Sequence, residues 1–123
     1  MQNKTDNKIF YENIHGKDYS QGPQENDPFY KELKKFVKEF NLADKKVLEI
    51  GSGMGTLQDI VRDYVGIDMS EKLRKKYHKP YKVVENDTYP FRRDTFDAIF
   101  TRATFEHIPN VNKALGETLR VLK

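Results

Sequence analysis

Three glycines fall within five positions, Gly51-Ser52-Gly53-Met54-Gly55, directly behind the run KVLEI. Glycine loses more backbone freedom on folding than any other residue, so a cluster is kept where the chain turns tightly or where another group approaches the backbone closely. A short β-branched and leucine run, then glycines, then the mixed stretch TLQDIVRDY reads as strand, tight turn and helix. Parallel strands need a crossover of this kind, so the motif points to an α/β chain.

The rest of the sequence repeats the pattern. Asp27-Pro28 opens a helix, with Asp suited to the N-cap and Pro to the first turn. Phe29, Leu33, Phe36, Val37 and Phe40 follow at helical spacing and predict one apolar face. YVGIDM reads as a second strand, and Ser70 as the cap of a helix EKLRKKYH that stops before Pro80. YKVVEND is a third strand and FDAIFTRATF a fourth, longer one. Val111, Ala114, Leu115, Thr118, Leu119 and Leu122 trace one face of a closing helix, with Asn110 or Asn112 near its cap. Strands alternating with helices predict a doubly wound parallel sheet over residues 27–123. Residues 1–26 are polar, carry Gly16, Gly22 and Pro23, and show no sustained period, so they read as a flexible arm. Its aromatic residues Phe10, Tyr11 and Tyr19 fit either docking on the core or a ligand, or plain surface positions.

At 123 residues, 37% of them hydrophobic and 33% charged, the chain has enough material for one modest core. No apolar run approaches the ~20 residues of a membrane helix, and the N-terminus lacks the apolar segment of a signal peptide. Cysteine is absent, which excludes disulfides, thiolate catalysis and Cys-based metal sites and suits a reducing, cytoplasmic setting. The net charge of +3 gathers in KELKKFVKEF and EKLRKKYHK. Acids interleave both segments, which favours solvated helix faces over a nucleic-acid footprint.

Loop spacing discriminates between ligands. A dinucleotide site wants G-x-G-x-x-G, with glycine where Thr56 stands, and a P-loop needs a lysine that this loop lacks. Glu49, just ahead of the glycines, would repel a pyrophosphate and suits a ligand carrying positive charge. S-adenosylmethionine has an ammonium, a sulfonium and no phosphate. Asp68 stands 17 positions beyond Gly51, close to the roughly 20 expected of an acid that binds ribose hydroxyls. A carboxylate has acceptor capacity for both hydroxyls. Its other reading is a cap for the helix near Ser70.

VLEIGSGMGTL, VGIDMSEKL, VVENDTYPFRRDTFDAIFTRATFEHIPN and ALGETLRVLK resemble, in order and spacing, the successive motifs of class I S-adenosylmethionine-dependent methyltransferases. The resemblance runs from about Lys45 to Lys123. It implies a Rossmann-like sheet of strand order 3-2-1-4 and S-adenosylmethionine as cofactor. It also implies that Gly51, Ser52, Gly53 and Gly55 form the loop through which the backbone approaches the methionine moiety, with Glu49 near its amino end. Asp68 would hold the ribose, Met69 would pack on the adenine, and Asp87 with Thr88 would meet the adenine amine. Thr101 and Arg102 would lie along the cofactor. Met69 as simple core and Asp87 as a turn residue are the alternatives.

Methyl transfer from a sulfonium is an in-line displacement in which the protein mainly supplies alignment, and a general base is needed only for a protonated nucleophile. His107 in FEHIPN is the sharpest candidate base, with a pocket-shaping or turn role as its alternative. The TRATFEH stretch departs from the Asn/Asp-Pro-Pro-Tyr/Phe of amino-directed adenine methylation, and carbon-5 cytosine methylation needs a cysteine. Small molecules, sugars, lipids and protein side chains stay open as acceptors. Relatives in the family continue past LRVLK with further strands, so the fourth strand is expected at an open edge that invites a partner chain or a second copy. The sequence thus supports the N-terminal part of a methyltransferase, a donor-binding half-domain completed by a partner or, third, a surface binder using its basic helices.

Overall fold

The computed structural model describes residues 27–85, 87–102 and 104–123. The expected arm over residues 1–26, with its three aromatic residues, lies outside the described residues.

Two α-helices, α1 (Pro28–Glu39) and α2 (Val111–Val121), and four strands, β1 (Lys46–Ile50), β2 (Asp63–Asp68), β3 (Tyr81–Val83) and β4 (Ala98–Thr101), make up the frame. Short 3-10 turns lie at Thr56–Asp59, Glu71–Lys76 and Phe105–His107. The strands form one parallel sheet in the order β3-β2-β1-β4, the order expected of this Rossmann-like class. Glu49 stands opposite Gly66 on β2 and Phe100 on β4, and Ile50 opposite Ile67 and Thr101.

Each face of the sheet carries its own apolar layer. Leu33 and Val37 of α1, with Leu57 and Val61, pack on Val47 and Tyr64 on one face. Leu48, Ile50 and Ile67 meet Tyr89, Phe96 and Val121 on the other. Helix α1 starts as its sequence requires, with the Asp27 carboxylate accepting from Phe29 N–H at 2.9 Å and Pro28 in the first turn. It ends in a Schellman turn: Asn41 takes a left-handed φ of 55°, and Leu42 N–H reaches Val37 C=O at 2.9 Å. Asn110 caps α2 by accepting from Lys113 N–H.

Several sequence expectations need correction. The helix expected over TLQDIVRDY is a 3-10 turn of four residues, and β2 already begins at Asp63. Register explains this. Asp63 must lie level with Lys46 at the foot of β1, so seven residues have to return the chain along a five-residue strand. As α-helix they would span about 10 Å, against about 16 Å for the strand. The chain adopts the longer-pitched form instead, and Leu57, Val61 and Tyr64 still reach the core. The helix expected at Glu71–His78 is likewise a 3-10 segment ending at Lys76, and the Ser70 hydroxyl at its start makes no cap bond.

The third strand stops at Val83, and the fourth spans Ala98–Thr101 where FDAIFTRATF suggested a longer one. Phe96 leaves that ladder to pair with Leu122. Neither helix buries the whole apolar face its spacing suggests. Phe36 and Phe40 stay exposed on α1, with Phe36 reaching the Phe100 ring edge-on at 5.4 Å. On α2, Ala114 and Val121 are buried while Val111, Leu115 and Leu119 are exposed. Strand β4 ends the sheet, so among the described residues there is no further strand for these side chains to cover.

Candidate functional site

Side chains alternate across a strand, so Tyr64, Gly66 and Asp68 of β2 share a face, and the parallel register sets Glu49 on that same face. Where β1 ends, the chain turns through three left-handed glycines, with φ of 65°, 55° and 69° at Gly51, Gly53 and Gly55. Ser52 N–H donates to Ile67 C=O, which ties this turn to the neighbouring strand end. Gly53 N–H donates to Asp68 Oδ2 at 2.9 Å, and Met69 N–H donates to Oδ1 at 2.6 Å. Glu49 and Asp68 therefore flank one loop at the carboxyl ends of the strands, where ligands bind in open α/β sheets.

The glycines serve different ends. A Cβ on Gly51 would lie 2.1 Å from Thr104 Oγ1, and one on Gly55 would lie 2.4 Å from the Tyr77 ring. Both are filled from within the protein. A Cβ on Gly53 would meet nothing within 4 Å among the described residues, so among them it is the loop position that opens onto free space.

Electrostatics single out Glu49. It is 8% exposed, and the Tyr64 hydroxyl donates to its Oε1 at 2.6 Å. Burial pushes its pKa from 4.5 up to about 8; the Tyr64 hydrogen bond opposes that, nearby Asp68 adds to it, and Arg102 opposes it. A buried acid held partly protonated beside a second acid is a place where a cationic ligand gains energy. Asp68 is also buried, yet each of its oxygens keeps acceptor capacity beyond one backbone bond.

The remaining sequence-predicted residues fall as follows. Ser52 is buried and bonded to the Tyr77 hydroxyl at 2.6 Å. Met69 is buried, directly after Asp68. Val84 N–H donates to Asp68 C=O and carries the chain past β2 toward Asp87. Asp87 is almost fully buried, 3.7 Å from the Lys113 ammonium and 3.2 Å from the Thr88 hydroxyl. Arg120 fixes that segment by donating to the Tyr89 and Phe91 carbonyls. Thr101 ends β4 beside Ile50; its buried hydroxyl and that of Ser70 have no partner among the described residues. The Arg102 guanidinium lies over the Phe29 ring at 3.6 Å. His107 is exposed in the Phe105–His107 turn, 3.7 Å from Glu106, and its N–H bonds back to Thr104 C=O.

Sequence reasoning missed Tyr64, Tyr77, Gln58 and Thr104. Strand parity gives a signal for Tyr64, two and four positions ahead of Gly66 and Asp68. The other three reach the loop through tertiary packing, and no local pattern marks them. Gly66 records the same crowding, since its missing Cβ would lie 2.8 Å from both the Ser52 and Tyr64 hydroxyls. Gly66→Ala is expected to lower unfolding free energy by about 2 kcal/mol, the usual scale of overpacking, measured by urea denaturation.

A parallel 3-2-1-4 sheet with a glycine turn between two buried acids defines an α/β domain of the Rossmann-like class. The sequence profile of the family described as "Methyltransferase domain" matches residues 48–123, and the chain belongs to that family. It is 38% identical over 82 residues to the uncharacterized protein MJ1252 of Methanocaldococcus jannaschii, covering 63% of this chain and 32% of that one. It is 32% identical over 95 residues to the uncharacterized methyltransferase YcgJ of Bacillus subtilis, covering 66% and 38%. The chain thus spans about a third of the length of these relatives. Among solved structures, phosphoethanolamine N-methyltransferase 1 of Haemonchus contortus, in complex with phosphoethanolamine and S-adenosylhomocysteine, superposes with a TM-score of 0.69 at 18% identity, covering 98% of this chain and 30% of that one. At that identity the likeness concerns the fold. No helix among the described residues is long and apolar enough to cross a membrane.

Proposed function

We propose that residues 27–123 bind S-adenosylmethionine and form the donor half of a methyltransferase acting on a small molecule, sugar, lipid or protein acceptor. The observation that carries this reading is the pair of buried acids around the one loop glycine that faces free space. Family membership supports it. Glu49 attracts the ammonium end, Gly53 admits the methionine chain, and Asp68 accepts from the ribose hydroxyls. Met69, Asp87 and Thr88 form the adenine side, and the unpartnered Thr101 hydroxyl and Arg102 border the cofactor from β4.

When bound, S-adenosylmethionine supplies an activated methyl group on a sulfonium. The chain's own work is to hold the donor in line with an incoming nucleophile, which is an effect of proximity. His107 is the candidate to take a proton from a hydroxyl acceptor, since imidazole titrates near neutral pH. A second reading is a donor-binding half-domain completed by a partner chain or a second copy. It is favoured by β4, whose four residues are all only half-buried at the sheet edge.

Titration calorimetry with S-adenosylmethionine and S-adenosylhomocysteine tests the donor site. Binding should raise unfolding free energy by about 2.7 kcal/mol at a ligand concentration of 100 Kd. No heat and no thermal shift with either ligand would remove the proposal. Light scattering separates the two readings of the edge: a monomer argues against completion by a second copy.

A further inference from the structure

We propose that Tyr77 is a positioning residue for the glycine loop: with Asp68 it grips the two peptide groups that flank the Gly53 Cα and so fixes the backbone surface the cofactor meets. This rests on the donor-binding reading above. Gly53 N–H donates to Asp68 Oδ2 at 2.9 Å, and Gly53 C=O accepts from the Tyr77 hydroxyl at 2.7 Å. A phenol has one proton, so with that proton on the Gly53 carbonyl the 2.6 Å contact to Ser52 runs the other way, from Ser52 Oγ–H to Tyr77 Oη. A directed chain of donors therefore ends on the one loop glycine that opens onto free space.

The rest of the fold holds the Tyr77 ring in place. It stacks on Tyr81 at 4.2 Å with 18° between planes, and Tyr81 is itself buried and bonded through its hydroxyl to Ser70 C=O. Gly55 and Gly66 leave the slot in which the ring sits; a Cβ on either would come within 2.4 Å and 2.9 Å of its Cε1. Buried Gln58 staples the flanking chain, donating to Lys76 C=O at 3.1 Å and accepting from His78 N–H at 3.0 Å. Burial also pushes the Tyr77 pKa upward, so the hydroxyl stays a donor throughout the working range.

The arrangement matters because Gly53 is left-handed, with φ of 55°, and no atom of the described residues lies within 4 Å of where its Cβ would stand. Its orientation depends on what grips its two polar groups. Gly55 is a glycine in order to seat Tyr77, and Gly53 in order to meet the ligand; the ring couples the two.

Tyr77→Phe tests the clamp, because it keeps the ring, the stack and the slot and removes only the hydroxyl. Titration of S-adenosylhomocysteine should show about tenfold weaker binding. The unliganded unfolding midpoint should move by no more than a few degrees, and Gly53 amide hydrogen exchange should accelerate while that of Leu48 does not. Ser52→Ala, which leaves the Tyr77–Gly53 bond intact, should weaken binding less. If wild type and Tyr77→Phe bind equally, the clamp is wrong and the donor site stands. If affinity falls only in step with unfolding stability, and Leu48 exchange accelerates as well, Tyr77 is merely structural and the proposal fails. Wild type that binds neither ligand overturns both the donor reading and this inference.

Discussion

Glu49→Gln raises the unfolding midpoint of the unliganded protein at pH 7.5 by roughly 10 °C and weakens S-adenosylmethionine binding at least tenfold. Both effects follow from one buried carboxyl. Folding raises its pKa from 4.5 to about 8, chiefly by desolvation. Between those values the folded chain binds a proton that the unfolded chain has released. Unfolding free energy therefore falls as pH rises through this window, at up to about 1.4 kcal/mol per pH unit. The contribution is fully present below about pH 4.5 and lost by about pH 8. Glutamine is neutral at every pH and still offers an oxygen to the Tyr64 hydroxyl. It removes that loss, which by linkage is about 4 kcal/mol over the three pH units from 4.5 to 7.5; even half of it shifts the midpoint of a domain of this size by roughly 10 °C.

Ligand binding runs in the opposite sense. A cationic ligand favours the carboxylate, so wild-type affinity should rise as pH climbs from 6 to 8 and level off above, with one proton released on binding below the plateau. The groups facing Glu49 are Tyr64 and Asp68 of β2, Tyr77 ahead of β3 and Arg102 beyond β4. Calorimetry at three pH values, in buffers of different ionisation enthalpy, reads this directly. A pH-independent wild-type affinity would contradict the role given to Glu49. An acid that weakens the fold and strengthens binding is the exchange of stability for function seen at many sites.

Gly51→Ala and Gly53→Ala, only two positions apart, should fail in different ways. At Gly51 the new methyl would lie 2.1 Å from Thr104 Oγ1, in a residue with φ of 65°. Left-handed strain of 1–2 kcal/mol and overpacking of 1–3 kcal/mol together make a loss of about 3 kcal/mol, so the variant should be largely unfolded or melt well below wild type. At Gly53 the methyl meets no atom of the described residues, and the left-handed strain alone remains, about 1 kcal/mol. That variant should fold and lose donor binding by a hundredfold or more, because the methyl projects into the space the ligand needs. Melting curves and calorimetry on both decide the matter. Equal destabilisation, or a Gly53→Ala protein with unchanged affinity, would contradict the assignment of free space to the ligand.

The parts of the fold legible in the sequence are those set by local chemistry. Asp27-Pro28 encodes a helix start, Asn110 or Asn112 a cap that the structure assigns to Asn110, and KVLEIG a strand running into a glycine turn. These depend on side chains within a few residues of one another. The placement of Glu49 and Asp68 on one loop was legible for a related reason: the glycine turn and the next strand lie close in sequence, and parallel pairing brings their ends together. Elements set by distant register were not. TLQDIVRDY carries a helical apolar spacing, yet the level of Asp63 against Lys46 forces a shorter, stretched return. The apolar spacing of α2 says which residues share a side, while the end of the sheet at β4 decides which are covered.

By itself, the sequence determined an α/β chain with a parallel sheet and a glycine turn guarded by an acid, because hydrophobic period, capping and glycine's access to positive φ are local properties. Only the tertiary structure decided what each glycine faces: Thr104 from beyond β4 for Gly51, Tyr77 from the segment before β3 for Gly55, and open space for Gly53. It also decided that Glu49 is dry enough to keep its proton near neutral pH. Burial and close approach are sums over residues remote in the chain, and no short window of sequence contains them.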